Sequence, residues 1–285
     1  MTGLSAATRL AGVIGRPVRH SLSPLIHNAW LAAAGIDGAY VALSPTEEGF
    51  PHLIEGLRGS SFAGCNVTLP FKEAALAAAD QASDQARLAG AANLLLFTQD
   101  GGVRADNTDG AGLLGAFAAQ APGFDPAAGP VVILGAGGAA RGAAAAFLLA
   151  GAPRVRLVNR TKARAEAIAH ALGEPVQAFG WGDLPNLLDD AAAVVNATSL
   201  GLEGHAPLEI DLSSLPGTSP VMDMVYRPLR TPLLDEAARA GRPIVDGLEM
   251  LILQAVPSFE ALFGRAPPAG VDARALALAA LEAAP

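Results

Sequence analysis

The strongest local signal for a ligand site is a glycine-rich loop at residues 135–140. It directly follows four apolar residues, 131–134, three of which are β-branched. Such a run predicts a buried parallel strand, and the alanine-rich stretch after the loop predicts a helix. Gly135 and Gly137 allow a tight turn and a close approach of phosphate to the backbone, while the small Ala140 lets the helix pack on the strand. The loop therefore predicts a helix N-terminus whose N–H groups bind a pyrophosphate.

The end of the next predicted strand decides which dinucleotide fits. A site for NAD usually places Asp or Glu there to bond the ribose 2′-hydroxyl, whereas NADP needs cations for its 2′-phosphate. This chain instead has Asn159, Arg160, Thr161 and Lys162, with Arg164 close behind. The planar guanidinium group matches the geometry of phosphate, and a carboxylate would repel it. We therefore predict an NADP site; the alternative is a solvated basic helix start.

Lysine usage in this chain is unusual. Of the 19 basic residues only two are lysines, Lys72 and Lys162. Lys162 lies at the predicted phosphate site. Lys72 lies in the first turn of a predicted helix, where a cation opposes the helix dipole. An ammonium group is compact and titratable and a guanidinium is not, so Lys72 is a candidate for proton transfer. The alternative is a surface salt bridge.

Polar side chains at two further helix starts predict contacts to a small ligand. Ser23 precedes Pro24, a pattern that predicts Ser23 as a helix N-cap. Ser21 lies two residues earlier, so both hydroxyls would point the same way and could hold a carboxylate; capping alone would also explain Ser23. Asn66 and Thr68 end a predicted strand just before Lys72, which places polar groups beside the candidate proton donor.

The strands and helices predicted to hold these residues alternate along the whole chain. Strands are predicted at 9–15, 39–43, 62–68, 90–97, 103–105 and 131–134. A further strand is predicted to end at 159, and three more are predicted to begin at 193, 221 and 244. Asp100-Gly101-Gly102 predicts a hairpin turn. Helices are predicted to begin at Ser23, in the segment with Lys72 and at Asp106–Gly110, a further helix is predicted at 47–58, and residues from Leu248 onward are predicted to be helical. A length of 285 residues favours two α/β domains.

The composition narrows the possible partners. A net charge of −8 argues against non-specific binding of nucleic acid. Apolar runs are short, and no basic and apolar leader opens the chain, so we expect neither a membrane segment nor a signal. A single cysteine, Cys65, fits a reducing cytoplasm and excludes an internal disulfide framework. The histidines and Cys65 show no metal-ligand spacing, and we predict no metal. A monomer and a homodimer both remain open.

Taken in order, these motifs resemble those of the shikimate dehydrogenase family along nearly the whole chain. The motifs are His20-Ser21-Leu22-Ser23-Pro24, Asn66-Val67-Thr68-Leu69-Pro70-Phe71-Lys72, Gly90-Ala91-Ala92-Asn93, Asp106-Asn107-Thr108-Asp109-Gly110, the glycine loop, Asn159-Arg160-Thr161, Asn196-Ala197-Thr198-Ser199-Leu200-Gly201, Asp223-Met224-Val225-Tyr226 and Met250-Leu251-Ile252-Leu253-Gln254. The resemblance implies reduction of 3-dehydroshikimate with NADPH, in aromatic amino acid biosynthesis. It also implies two α/β domains with the active site in the cleft between them. The substrate domain would comprise residues 1–105, completed by the returning helices of 248–285, and the Rossmann-type NADP domain residues 106–247.

The resemblance also implies roles for individual residues. Ser21 and Ser23 would hold the substrate carboxylate, with help from Tyr226. Hydroxyl-binding groups would be Asn66, Thr68, Asn93 and Gln254. Lys72 and Asp106 would form a charge-paired catalytic pair. Residues facing the pyrophosphate would be Gly135, Ala136, Gly137, Gly138 and Ala139, and those at the adenosine end Asn159, Arg160, Thr161, Lys162 and Arg164. Thr198, Met224 and Gly247 would lie near the ribose or nicotinamide.

Other functions remain open on the sequence alone. The nearest is a quinate/shikimate dehydrogenase of the same family that accepts quinate and NAD, which Arg160 argues against. A non-catalytic sensor of NADP or a metabolite would have no need of Lys72, and a folate dehydrogenase would not call for paired serines. One position departs from the family: Leu94 stands where the family usually has Thr, which affects the expected shape of the substrate pocket.

Overall fold

The computed structural model describes residues 4–283, so the two ends of the predicted substrate domain, residues 1–3 and 284–285, lie outside it. The described strands are β1 (Arg9–Ile14), β2 (Gly38–Leu43), β3 (Phe62–Val67), β4 (Gln81–Ala82), β5 (Leu94–Phe97), β6 (Val103–Asp106), β7 (Val131–Leu134), β8 (Val155–Asn159), β9 (Val176–Gly180), β10 (Ala193–Asn196), β11 (Val221–Asp223) and β12 (Ile244–Asp246). The described α-helices are α1 (Ser23–Ala34), α2 (Gly49–Leu57), α3 (Lys72–Ala77), α4 (Asp84–Ala89), α5 (Asp109–Gln120), α6 (Gly138–Leu149), α7 (Lys162–Leu172), α8 (Pro232–Arg239), α9 (Gly247–Phe263) and α10 (Ala273–Glu282).

The chain divides into two compact units, each built on one six-stranded sheet. The first unit contains the described residues up to Thr108 and from Gln254 onward. Its strand order is β2–β1–β3–β5–β6–β4. β5 runs antiparallel to both of its neighbours, and the predicted hairpin turn at 100–102 is confirmed because it joins β5 to β6. Apolar residues of β3, β5 and β6 pack on Phe50, Ile54 and Phe71 on one face of this sheet.

The second unit, Asp109–Leu253, has an all-parallel sheet in the order β12–β11–β10–β7–β8–β9. From β7 the chain moves outward through β8 and β9, then returns to the other side of β7 as β10. This is the doubly wound order, in which ligands bind at the carboxyl ends of the two strands that flank the reversal, here β7 and β10. An α/β fold with a Rossmann-type sheet is therefore confirmed.

The strand before the glycine loop is buried on both faces, as predicted. Val131 and Ile133 pack in a core with α5, α6 and α7, whereas Val132 and Leu134 face a second core that includes Leu184. All four β7 residues have no exposed surface. A strand covered on both faces needs apolar side chains at every position, which is why the sequence of β7 shows a continuous apolar run and no alternation.

Some predicted boundaries were wrong. β5 begins at Leu94 rather than at 90, because Gly90 adopts φ +65° and ends α4. α5 begins at Asp109, since Asp106 is the last residue of β6. Among residues 4–283, no helix is long and apolar enough to cross a membrane, and no group of three or more metal-ligating side chains could hold an ion.

Candidate active site

The glycine loop lies where the strand order of the second sheet reverses. Gly135 has φ +118°, and a Cβ on it would lie 3.0 Å from the carbonyl oxygen of Ala197 and 3.2 Å from Cγ2 of Thr198. A side chain at position 135 would therefore strain the backbone and push on the segment that follows β10. The structure thus brings Thr198 beside the glycine loop, as expected of two groups that face one nucleotide.

The first turn of α6 fits a pyrophosphate. Gly137 is its N-cap, and no side chain of the described residues caps this 12-residue helix. Gly137, Gly138 and Ala139 are exposed, and no described atom lies within 4 Å of the position that a Cβ on either glycine would take. Backbone N–H groups and the positive end of the helix dipole therefore face open space, where they can bind phosphate oxygens.

Basic side chains follow the end of β8, next to β7 in the sheet. Arg160, Lys162 and Arg164 are all exposed, and the Asn159 side-chain amide donates to the carbonyl of Thr161 at 2.9 Å, which fixes the turn into α7. Lys162 lies 3.9 Å from the Glu166 carboxylate, a solvent-exposed pair. In the described part of the chain neither Arg160 nor Arg164 has an ion-pair partner, so both can reach a phosphate. This donor set fits the 2′-phosphate of NADP.

A buried carboxyl group connects the ends of β10 and β11. Asp223 has no exposed surface, and it accepts hydrogen bonds from the Asn196 side-chain amide (2.9 Å), the Val225 N–H (3.0 Å) and the Thr231 hydroxyl (2.7 Å). Burial raises the pKa of Asp223, against the opposing effect of these hydrogen bonds. Asn196 in turn accepts from both the N–H and the hydroxyl of Thr198. No role was predicted for Asp223 or Asn196, although their place at the ends of parallel strands was a usable signal.

Met224 and Gly247 also come together. A Cβ on Gly247 would lie 2.3 Å from the carbonyl oxygen of Met224, so only glycine fits at the start of α9. The preceding Asp246 is held by Gln120, which donates to its carboxylate and accepts from its N–H, both at 2.9 Å. Asp246 also caps α9 by accepting the Glu249 N–H. Met224 and Gly247, two of the three residues predicted near the ribose or nicotinamide, are therefore packed against each other.

The paired serines lie at the start of α1, but Ser23 does not cap it. Leu22 is the N-cap, and no side chain of the described chain caps the helix, so the predicted capping role of Ser23 was wrong. Instead, the Ser23 N–H donates to the Ser21 hydroxyl at 3.3 Å. Ser23 is buried, and among residues 4–283 its hydroxyl has no hydrogen-bond partner. Since capping does not use this hydroxyl, it can bind a ligand.

Three of the predicted hydroxyl-binding residues lie in one buried hydrogen-bond network. The Asn93 amide nitrogen donates to the Gln254 side-chain oxygen at 3.2 Å and to the Thr108 hydroxyl at 2.9 Å. The Asn66 amide nitrogen donates to the Asn93 carbonyl at 3.1 Å and to the Ser258 hydroxyl at 2.9 Å. Thr108 and Ser258 complete the network and were missed by the sequence analysis, because Ser258 is 192 residues from Asn66 and no local pattern marks it.

Thr68 lies beside this network, at the end of β3. Its N–H donates to the Ile14 carbonyl at 2.8 Å. Gly15 makes this approach possible, because a Cβ on Gly15 would lie 2.4 Å from Cγ2 of Thr68. In the part of the chain that the structure describes, the Thr68 hydroxyl has no hydrogen-bond partner. A glycine just after β1 therefore leaves room for Thr68 just after β3, and the Thr68 hydroxyl is available to a ligand.

Lys72 is the first residue of α3, as predicted, and is half-buried. Its carbonyl accepts the Ala92 N–H at 2.9 Å, and the adjacent Asn93 N–H donates to the Asp106 carbonyl at 3.1 Å. The backbone of the first unit therefore brings Lys72, Asn93 and Asp106 into one neighbourhood.

The predicted charge pair between Lys72 and Asp106 was wrong. Oδ1 of Asp106 accepts the Ser83 hydroxyl at 2.5 Å and the Asn107 N–H at 2.7 Å, and no ion pair joins Asp106 to Lys72 in the described chain. The reason is that Asp106 ends β6, where its carboxylate reaches Ser83, the N-cap of α4. The other carboxylate of the same motif, Asp109, is the first residue of α5.

Two family models match the chain. Residues 13–95 match the shikimate dehydrogenase substrate binding domain. Residues 120–202 match the shikimate / quinate 5-dehydrogenase family.

Individual relatives match nearly the full length. A shikimate dehydrogenase (NADP(+)) from Caulobacter vibrioides is 60% identical over 275 residues, 96% of each chain. The structure of shikimate 5-dehydrogenase from Thermus thermophilus in complex with NADP(H) and shikimate has a TM-score of 0.83 and 37% identity, over 96% of this chain and 99% of that one. A quinate dehydrogenase from Corynebacterium glutamicum in complex with NAD has a TM-score of 0.86 but 28% identity, over 96% and 99% of the two chains.

Proposed function

The chain belongs to the shikimate dehydrogenase family, and from that membership we propose how its residues carry out the reaction. The protein is an NADP-dependent oxidoreductase that interconverts 3-dehydroshikimate and shikimate. When bound, NADPH supplies the hydride that reduces the ring ketone. The observation that best supports our assignment of residues is the glycine loop at the reversal of the sheet, with Arg160 at the end of the adjacent strand.

The second unit supplies the NADP site in this proposal. The loop Gly135–Ala139 binds the pyrophosphate, with its backbone N–H groups as donors. At the adenosine end, the site comprises Asn159, Arg160, Thr161, Lys162 and Arg164. Thr198, Met224 and Gly247 lie near the ribose or nicotinamide. Support comes from the exposed first turn of α6, the exposed basic side chains, and the contacts that hold Thr198 and Gly247 in place.

Arg160→Ala is expected to raise KM for NADP by about ten- to a hundredfold, because it removes a charge-assisted hydrogen bond to phosphate. We expect kcat at saturating NADP to stay within about twofold. Initial rates with NADP and NAD as alternative cofactors check this, since NAD has no 2′-phosphate and its KM should not change. Arg154→Ala, an exposed arginine just before the same strand, is the matched control. An equal loss with both cofactors would contradict a phosphate contact.

The first unit supplies most of the substrate site. The Ser21 and Ser23 hydroxyls, at the positive end of α1, hold the carboxylate. Tyr226 assists as a hydrogen-bond donor, because a phenol is protonated at neutral pH and burial raises its pKa further. The hydroxyl groups of the substrate are bound by Asn66, Thr68, Asn93 and Gln254. A site that bonds each hydroxyl rejects analogues that lack one, by about 10⁴-fold in good cases.

Lys72 is the proton donor in this proposal. As hydride reaches the ring carbon, the ketone oxygen becomes an alkoxide, and the ammonium group stabilises it and transfers a proton to it. Asp106 was expected to act beside Lys72, but its bonds to Ser83 and Asn107 give it a positioning role at the end of β6. We therefore assign the carboxylate of the catalytic pair to Asp109. Asp109 directly follows Thr108, which accepts from and donates to Asn93.

Three wider assignments belong to the proposal. The first unit is the substrate domain and the second the NADP domain. The location is cytoplasmic, which the presence of a single, free cysteine, Cys65, supports. The protein acts as a monomer or homodimer, without nucleic acid as a partner.

Absorbance of the reduced nicotinamide, with shikimate or quinate and with NADP or NAD, tests the function. We expect rapid reduction of NADP with shikimate and little turnover of quinate or NAD. Comparable rates with quinate or NAD would place the chain with the quinate dehydrogenases instead. Binding of NADP without any turnover would favour a sensor and would direct attention to Leu94, which is fully buried in β5 where the family usually has threonine.

A further inference from the structure

A buried aromatic cluster stands next to the polar network of the first unit. The ring of His27 stacks on Tyr40, with centroids 4.0 Å apart and planes at 10°. Trp30 and Phe259 pack around the imidazole at 5.5 and 5.8 Å. Tyr40 is only 2% exposed, and within residues 4–283 its hydroxyl makes a single hydrogen bond, to Oδ1 of Asn66 at 2.8 Å. Through Tyr40, the aromatic cluster therefore contacts Asn66, a residue of the proposed substrate site.

The direction of this hydrogen bond follows from the other contacts of Asn66. The atom of its amide that faces the Asn93 carbonyl must be the nitrogen, because a backbone carbonyl can only accept. The same nitrogen donates to Ser258, so both of its N–H groups are used. Oδ1 therefore faces Tyr40, and the Tyr40 hydroxyl must donate to it. Only a second lone pair on Oδ1 remains for a ligand.

His27 acts on Tyr40 through its ring and not through a hydrogen bond. Its Nδ1 is buried and has no partner among the described residues, and burial lowers its pKa to about 3, so the imidazole is neutral. A neutral flat ring at 4.0 Å restrains the Tyr40 ring in its plane and hence directs the hydroxyl.

We propose that Tyr40, held by His27, is a positioning residue that fixes Asn66 as a hydrogen-bond acceptor for a substrate hydroxyl. The proposal rests on the proposed role of Asn66 in binding shikimate and adds the direction of that contact: the substrate donates and Asn66 accepts. Neither Tyr40 nor His27 touches the substrate. Their effect is on how strongly the substrate binds and not on the hydride step.

Tyr40→Phe tests this, because it keeps the ring and its stacking and removes only the hydroxyl. We expect KM for shikimate to rise about three- to tenfold, as for loss of one neutral hydrogen bond. KM for NADP should not change, and kcat should stay within about twofold. The thermal stabilisation that shikimate alone gives the protein should shrink, while the stabilisation by NADP stays the same. His27→Leu, which removes the flat ring but keeps the hydroxyl at position 40, should change the same quantities in the same direction.

Two further variants separate the possible failures. Phe263→Leu alters the same aromatic core through Phe259, 5.0 Å away, and should lower stability without changing KM for shikimate. Asn66→Ala should raise that KM more than Tyr40→Phe does. If Asn66→Ala raises KM and Tyr40→Phe does not, Tyr40 is not a positioning residue and this inference is wrong. If Asn66→Ala itself leaves KM unchanged, the proposed role of Asn66 in substrate binding fails instead.

Discussion

Lys72→Ala is expected to lower kcat by about 10²–10⁴-fold while KM for shikimate changes far less, because a general acid stabilises the transition state more than the bound substrate. Steady-state kinetics in both directions, at saturating NADP or NADPH, measure the effect. Lys72 is the first residue of α3 and is tied through its carbonyl to Ala92, so the variant removes only the side chain from a fixed backbone position.

Two companion variants sharpen this result. Lys72→Arg keeps the positive charge but cannot give up a proton near neutral pH, so it should restore little of the rate if Lys72 transfers a proton. Glu73→Ala, an exposed neighbour in the same first turn, should leave kcat unchanged. Full activity of Lys72→Arg would show that the charge alone suffices. A rise in KM without loss of kcat in Lys72→Ala would make Lys72 a binding residue.

The nucleotide unit could be predicted from the sequence because its signals are local. The buried run 131–134, the glycine loop and the alanine-rich helix are contiguous, and the structure has β7, α6 and β8 where the pattern predicts them. β9 was missed, since only the first of its five residues is buried and the strand lies at the sheet edge. β4 has two residues, too few for any periodicity to appear.

Side-chain partners could not be predicted in the same way. The residue type of Ser23 allows capping, but the backbone at the start of α1 leaves its hydroxyl unused. Asp106 has the charge to pair with Lys72, but strand geometry gives it Ser83, which lies 23 residues away in the chain. The hydrogen bonds that Asn66 donates to Ser258 and that Thr231 donates to Asp223 depend on the packing of separate elements. The order of the motifs along the chain indicates which residues have a functional role. Which of these side chains contact each other is determined by the fold alone.

Replacing each of the two carboxylates of the Asp106–Asp109 motif with an amide is expected to change kcat very differently. Asp109→Asn should lower kcat by about 10²-fold or more, because it removes the carboxylate that we assign to the catalytic pair. Asp106→Asn should leave kcat within about threefold. Both hydrogen bonds of Asp106 are accepted by Oδ1 alone, so an amide oxygen at that position can still accept from Ser83 and from the Asn107 N–H.

Each variant serves as the control for the other, since both exchange a carboxylate for an amide of the same size in one short motif. Thermal unfolding should show little change for Asp106→Asn, and kcat and KM for both substrates separate a catalytic loss from a binding loss. Asp106→Ala adds a third comparison, because it removes the acceptor of the Ser83 hydroxyl and should lower stability more than activity. If Asp106→Asn instead loses as much kcat as Asp109→Asn is expected to lose, the charge of Asp106 is catalytic in spite of its bonds. Asp106 would then have to leave Ser83 during the reaction, and the assignment to Asp109 would be wrong.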